Sequence, residues 1–190
     1  LLASSAASDV YKRQHDAIGL TATSEVIITI PQRDGTRLDY ELDGKTAFID
    51  QSLVAENQIG RLNFTMMHEA AHQLFWMLYP EEYEVQTPRC VFRMADEHTQ
   101  YPVLDWEEWQ TNVLTSFLLL PKELVYRHMA DVGLKDGISV LNRIYARKDY
   151  ERFSEAAKRL GVSKTALAIR SSQLGLVGRN DLYDPYALVD

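Results

Sequence analysis

The sequence predicts an α+β protein in which a short antiparallel β-meander is followed by a mainly helical C-terminal half. β-branched and alternating stretches are confined to residues 24–50, whereas from about residue 62 apolar side chains recur at helical spacing. The chain has 190 residues, 46% of them hydrophobic, which is enough to bury a substantial core.

Three segments predict the strands of the meander. The first, "EVIITI", is a β-branched run that ends at Pro31, and the second, "TRLDYEL", alternates between apolar and polar residues. The third, "KTAFID", follows the turn signal "DGK". Because the three segments are short and consecutive, we expect each to pair with the next.

A long helix is predicted after the strands. Leu62, Met66, Ala70 and Leu74 recur every four residues, and the pattern ends at Pro80. We expect this helix to be mostly buried. Residues 81–108, which hold eight Asp and Glu, predict an acidic loop that extends into the next helix.

The C-terminal half is predicted to be helical throughout. A helix should run from about Asp105 to Leu120, and Pro121 should open another that reaches about Met129. Further helical pieces are expected near 138–147, 154–160 and 164–174, followed by a polar tail.

Composition excludes several classes of protein. The net charge of -7 argues against a chain whose whole surface binds nucleic acid. Cys90 is the only cysteine, so no intramolecular disulfide forms, and a plain thiol is favoured over a redox or metal role. Since no apolar run approaches the length of a membrane span, we expect a cytoplasmic protein without membrane contact.

The stretch "TMMHEAAHQLFW" carries the strongest chemical signal. His68 and His72 are four residues apart, so both imidazoles lie on one face of a helix and can bind one ion, with Glu69 alongside. Imidazole suits Zn²⁺, and Glu69 would be the general base that takes a proton from the attacking water. The alternative is a helix that carries two histidines without a metal.

A third ligand is expected from the next helix, "DWEEWQTNVLTSFLLLP". Glu108 is favoured because it shares a face with the small residues Thr111, Asn112 and Thr115, which would let the two helices approach closely. Glu107, on the face of Leu114, remains an alternative. His98 and Asp105 are further options, and Asn112 could orient the Glu108 carboxylate.

Taken together, "MMHEAAHQLF" and "EEWQTNVLTSFLLLP" resemble the two motifs of the ImmA/IrrE family of zinc metallopeptidases, over most of residues 24–175. The resemblance implies a zincin-like fold in which His68, His72 and Glu108 bind Zn²⁺ and Glu69 is the catalytic base. Thr111 and Thr115 depart from the family pattern, in which alanine is more typical.

The resemblance also implies a domain organisation and a substrate. Residues 15–135 would be the metallopeptidase core, 136–176 a helix-turn-helix-like subdomain packed on it, and 177–190 a polar tail. Residues 1–14 resemble translated adapter sequence and are expected to be non-native. The implied substrate is a helix-turn-helix transcriptional repressor, whose cleavage would relieve repression of stress or mobile-element genes.

The segment "FSEAAKRLGVSKTALAIRSSQLGL" supports a rival function. Ser154 is expected to cap one helix, Val162 to pack in a turn and Ser163 to cap a second helix, as in a helix-turn-helix. The alternative function is therefore a non-catalytic regulator that binds a repressor or DNA, with Lys164, Thr165 and Arg170 as the side chains available to contact bases.

The donor that would stabilise the oxyanion during hydrolysis is left open by the sequence. Tyr101, Tyr126 and His128 are the candidates, because a hydroxyl or imidazole N–H can donate to a developing negative charge.

Overall fold

The computed structural model describes residues 19–22, 25–31, 35–54, 56–82 and 106–186. Four short antiparallel strands precede the helices, and His68 and His72 lie on the first long helix, as an α+β fold of this order predicts. The described residues fall into two units. The first comprises residues from Leu1–Val54 and Thr65–Leu114, and the second comprises residues from Ala55–Phe64 and Thr115–Asp190.

In the first unit, strands β2 (Glu25–Pro31) and β3 (Arg37–Asp43) form the predicted antiparallel hairpin. Glu25 faces Asp43 at one end of the ladder and Pro31 faces Arg37 at the turn. Gly35 lies in this turn with a φ of 85°, a backbone conformation that residues with a Cβ rarely adopt.

The predicted three-stranded meander is wrong, because β4 (Ala47–Ile49) does not continue from β3. It pairs antiparallel with β1 (Gly19–Thr21), a strand that begins before the predicted β region. Leu20 of β1 faces Phe48 of β4. Three-residue strands carry too little periodicity to be recognised alone, and long-range pairing decides their partner.

Side chains from all four strands meet in one apolar cluster. Leu20, Ile28 and Leu42 are buried at its centre, and Tyr40 and Phe48 pack edge to face at a centroid distance of 5.5 Å. This cluster holds β1 to the rest of the first unit.

Helix α1 (Ile59–Leu78) confirms the predicted long helix but not its predicted burial. The repeating apolar residues Met66, Ala70 and Leu74 are exposed. The buried residues are instead Thr65, His68, Glu69 and Ala71. Periodicity sets which residues share a face but not which face turns inward, and here partners for the polar groups decide it.

Helices α2 (Trp106–Leu119) and α3 (Lys122–Asp131) match the predicted pair on either side of Pro121. The proline fits at this junction because it lacks the N–H that a helix interior requires. Glu107 and Glu108 lie in the first turn of α2, where a negative charge favours the helix dipole.

The helix predicted over 138–147 is wrong. Residues Ile138–Leu141 form strand β5, which pairs in parallel with β6 (Val177–Asn180), the start of the segment expected as a polar tail. A run of three apolar residues and one serine is compatible with either element, and only the distant partner strand selects the extended form.

Helices α4 (Arg147–Leu160) and α5 (Lys164–Gln173) are joined by the predicted turn. Gly161 ends α4 with a φ of 66°, Val162 is buried, and Ser163 Oγ accepts from the Ala166 N–H as the N-cap of α5. Ser154 is not a cap. It lies inside α4, where its hydroxyl donates to the Tyr150 carbonyl.

The second unit is built around a large apolar core. Its fully buried side chains come from α3, β5, α4 and α5 and include Val125, Met129, Leu141, Phe153 and Leu167. The first turn of α1 also belongs to this unit, and Asn63 Nδ2 donates to the Gly161 carbonyl at 2.8 Å. The turn between α4 and α5 is therefore held by the start of α1.

Over the described ranges, no helix has both the length and the apolar composition needed to cross a membrane. The adapter-like residues 1–14 lie outside the described residues, as do residues 83–105 of the predicted acidic loop.

Candidate metal centre

Two imidazoles from α1 meet edge to face. The ring centroids of His68 and His72 are 4.8 Å apart with an interplanar angle of 83°, and their Nε2 atoms are 3.1 Å apart. This follows from the spacing of four residues, which places both side chains on one helix face. The prediction that these histidines converge is confirmed.

The carboxylate of Glu108, in the first turn of α2, faces both rings. Its Oε2 lies 3.2 Å from His68 Nε2 and its Oε1 lies 3.2 Å from His72 Nε2. The three residues offer ligand atoms that all lie within 4.8 Å of one another, and this group could hold a metal ion. Glu108, the residue favoured on its helix face, is thus the carboxylate that joins the histidines.

The spacing of the three donors fits a metal better than a hydrogen-bonded cluster. A tetrahedral zinc site with bonds of about 2.0–2.1 Å separates its donor atoms by about 3.3 Å, close to the 3.1–3.2 Å seen here. Each ring nitrogen carries one in-plane proton or one lone pair, so it can make one well-aligned hydrogen bond. Three mutual contacts cannot all be good hydrogen bonds, whereas one cation satisfies all three donors.

The three side chains of the group differ in burial. The His68 side chain is fully buried, whereas those of His72 and Glu108 retain 16% and 12% of their exposure.

Opposing effects act on Glu108. Burial alone would raise the pKa of its carboxyl, but hydrogen bonds from His68 and His72 and the positive charge of the two rings outweigh burial and lower the pKa to about 2. The Glu108 carboxylate is therefore ionised at neutral pH, which is the form that binds a cation.

The pKa of Glu69 is shifted in the opposite direction, upward. Burial raises the pKa of its carboxyl to about 7; the positive field of His72 lowers it, and the negative charge of Glu108 adds to the rise. One carboxyl of this region is thus held ionised while its neighbour exchanges a proton near neutral pH.

Strand β1 packs directly against Glu69. A Cβ added at Gly19 would collide with Glu69 Oε1 and would lie 2.6 Å from Thr65 Cγ2, so a side chain at this position would displace the Glu69 carboxylate. Gln73 secures the same strand, because its Nε2 donates to Thr21 Oγ1 and to the Ala22 carbonyl, both at 2.6 Å.

The sequence interpretation missed Gly19 and Gln73. The only available signal was that Gln73 directly follows the second histidine, on a helix face that had no assigned partner. A glycine at the start of a three-residue strand gives no periodic pattern, so the tertiary contact was needed to find it.

A threonine contacts the metal group from α2. Thr111 Oγ1 lies 3.4 Å from His72 Nδ1 and donates to the Glu107 carbonyl at 2.8 Å. Asn112, the residue expected to orient the Glu108 carboxylate, is half-buried. Within the ranges that the structure describes, Asn112 makes no side-chain hydrogen bond, and its role beside Glu108 stays a prediction.

The remaining candidates are not among the three residues of the metal group. The Tyr126 hydroxyl donates to the Leu174 carbonyl at 3.2 Å, and both Tyr126 and His128 belong to α3 in the second unit. Four other residues singled out in the sequence fall outside the described residues: Cys90, His98, Tyr101 and Asp105.

The three side chains proposed to contact bases already have intramolecular partners. Arg170 is buried, with Nε donating to the Leu120 carbonyl at 3.1 Å and its guanidinium 4.3 Å from the Phe117 ring centroid. Thr165 Oγ1 is 2.8 Å from the Tyr183 hydroxyl, and Lys164 Nζ lies 5.4 Å from the centre of a tyrosine ring.

Comparisons with known proteins add no relative: no family model matches the chain, and no significantly similar curated protein or solved structure is found.

Proposed function

We propose that this protein is a zinc-dependent endopeptidase of zincin-like fold that cleaves a protein substrate. The observation that carries the proposal is the convergence of His68, His72 and Glu108 at 3.1–3.2 Å, with Glu69 next to the first histidine. Two imidazoles and one carboxylate form a donor set of catalytic zinc sites, which use three protein ligands and leave a fourth position open.

The donor chemistry supports zinc over harder cations. Mg²⁺ and Ca²⁺ prefer oxygen ligands, whereas imidazole suits borderline ions such as Zn²⁺. When bound, zinc supplies Lewis-acid polarisation of the scissile carbonyl and makes water a nucleophile at neutral pH. His68, His72 and Glu108 would hold the ion, and the low pKa of Glu108 keeps the carboxylate ionised for this purpose.

Glu69 would supply the proton transfer. A general base works best when its pKa lies near the working pH, and burial raises the pKa of Glu69 to about 7. Its carboxylate would accept a proton from the attacking water and donate it to the nitrogen of the leaving amine. The separation of the two carboxyl pKa values, about 7 and about 2, supports the assignment of Glu69 as base and Glu108 as ligand.

The substrate follows from the resemblance to the ImmA/IrrE family. Both motifs of that resemblance supply residues to the metal group, His68 and His72 from "MMHEAAHQLF" and Glu108 from "EEWQTNVLTSFLLLP". We therefore propose a helix-turn-helix transcriptional repressor as the substrate, cleaved in the cytoplasm to relieve repression.

The alternative is a non-catalytic regulator that binds a repressor or DNA through α4 and α5. The turn between these helices favours it, with Gly161 in a left-handed conformation and Ser163 as N-cap. It has less support because the N-terminus of α5, which would enter a DNA groove, packs on α1: a Cβ added at Gly60 would collide with the backbone of Val162 and Ser163.

The test is cleavage of a purified helix-turn-helix transcriptional repressor. The purified protein is incubated with that repressor, with zinc or with a chelator, and the products are identified by mass spectrometry. We expect one major cut that requires zinc. Glu69→Gln should abolish the cut, whereas Glu82→Gln, a matched change at an exposed glutamate, should not.

Each outcome distinguishes the proposals. Cleavage by the Glu69→Gln variant would remove Glu69 from the mechanism, and cleavage in excess chelator would exclude the metal. Repressor binding without any cleavage would favour the regulator.

A further inference from the structure

We propose that Thr111 is a positioning residue that fixes the tautomer of His72 and so turns its Nε2 lone pair toward the metal. This inference rests on the proposed metal site and adds to it a residue that is not a ligand. It is carried by the two hydrogen bonds of the Thr111 hydroxyl and by its burial.

The hydroxyl proton of Thr111 is committed. Oγ1 donates to the Glu107 carbonyl four residues earlier, at 2.8 Å, a bond that threonine commonly makes inside helices. A hydroxyl has one proton and two lone pairs, so after this donation Oγ1 can only accept. Thr111 is fully buried, so water does not compete for those lone pairs.

His72 must therefore be the donor in the contact between Thr111 Oγ1 and His72 Nδ1 at 3.4 Å. A neutral imidazole with its proton on Nδ1 carries a lone pair on Nε2. In the metal-free protein Nε2 donates to Glu108, and a bound zinc ion would replace that proton while Thr111 keeps the proton on Nδ1. Nε2 lies 3.2 Å from Glu108 Oε1 and 3.1 Å from His68 Nε2, at the centre of the metal group. The other tautomer would direct a proton into that centre and oppose a cation.

Helix α2 thus contributes two residues that contact His72. Glu108 and Thr111 are three residues apart, so they lie on one helix face, and they contact the two different nitrogens of the same ring. Partners that orient a ligating histidine commonly change metal affinity by about 10–100-fold when removed. An alanine at this position would leave the ring without this acceptor.

The test compares zinc affinity in three variants. Thr111→Val removes the hydroxyl at nearly constant volume, and Thr111→Ser restores it. Thr115→Val is the matched control, because Thr115 is equally buried on the same helix and its hydroxyl has no hydrogen-bond partner among the described residues. Zinc dissociation constants are measured by competition with a chelating dye.

Thr111→Val should weaken zinc binding by about 10-fold, the lower end for such partners because the contact of 3.4 Å is long. Thr111→Ser should bind like the wild type, and so should Thr115→Val. In the zinc-loaded protein, the NMR resonance of the His72 Nδ1 proton should move upfield in Thr111→Val and stay in place in Thr111→Ser.

The two proposals fail in different ways. If the wild-type protein does not bind zinc, the metal site itself is wrong. If it binds zinc and Thr111→Val binds equally tightly with an unmoved Nδ1 resonance, only the role of Thr111 is overturned. Equal weakening in Thr115→Val would also overturn it, since general packing would then be the cause. Should Thr111→Val not fold, Thr111→Ala gives the same comparison.

Discussion

Replacing Glu69 with glutamine should stabilise the metal-free protein at alkaline pH. Glu69 is 2% exposed, and burial raises its pKa from 4.5 to about 7. Below pH 4.5 the carboxyl is protonated in both the folded and the unfolded chain, so its ionisation costs nothing. Between 4.5 and about 7 the unfolded chain ionises first, and the folded state loses stability as the pH rises.

The size of the effect follows from the two pKa values. At about 1.4 kcal/mol for each tenfold change in proton affinity, a rise from 4.5 to about 7 corresponds to about 3 kcal/mol of unfolding free energy at pH 8. Glutamine has nearly the same shape and no charge, so Glu69→Gln removes this cost. The variant should exceed the wild type by less than about 1 kcal/mol at pH 5 and by about 3 kcal/mol at pH 8.

Tryptophan fluorescence in urea measures this difference. Trp76 lies in α1 and Trp106 and Trp109 in α2, so all three tryptophans report on the helices that carry the site. Chelator keeps the protein metal-free, and Glu82→Gln controls for the loss of an exposed negative charge. An equal gap between variant and wild type at pH 5 and pH 8 would refute the claim that burial destabilises ionised Glu69.

Three further predictions concern the metal group and the second unit. Glu108→Ala should weaken zinc binding by at least about 100-fold, since losing a ligand should cost at least as much affinity as losing a residue that only orients a ligand. Equilibrium dialysis measures the zinc affinity, and wild-type affinity in this variant would exclude Glu108 as a ligand. Gly60→Ala should lower the unfolding free energy by about 1–3 kcal/mol, because the new methyl group collides with the backbone of Val162. This loss should exceed the gain of about 1 kcal/mol that alanine brings to a helix. A variant that is more stable in urea denaturation would contradict that contact. Ser163→Ala should cost about 1 kcal/mol through the lost N-cap, and an unchanged urea midpoint would exclude the cap.

Local spacing made most of the site predictable. The interval of four residues places His68 and His72 on one helix face, and this follows from helix geometry alone. The preference for Glu108 over Glu107 also followed from helix faces, since small side chains beside Glu108 favour close approach. Helices α1, α2, α3 and α5 were predicted with ends within a few residues of those observed.

Long-range pairing made the remainder unpredictable. The sequence predicts a helix where strand β5 forms, because the extended form of β5 depends on β6, more than thirty residues later. The partner of β4 was wrong for the same reason, since β1 lies before the segment in which strands were expected. Hydrogen bonds between distant strands leave no periodic mark on segments of three or four residues.

The sequence by itself determined the donor types and their positions on two helices. Only the tertiary structure decided that the polar face of α1 is buried. Burial of polar side chains requires partners for them, and here Glu108 contacts both imidazoles. The tertiary structure also decided that two nearby carboxyls differ in pKa. His68 and His72 lower the pKa of Glu108 to about 2, whereas burial against Gly19 raises the pKa of Glu69 to about 7. Desolvation and electric field depend on what surrounds a group in space, so neither is fixed by a residue's neighbours along the chain.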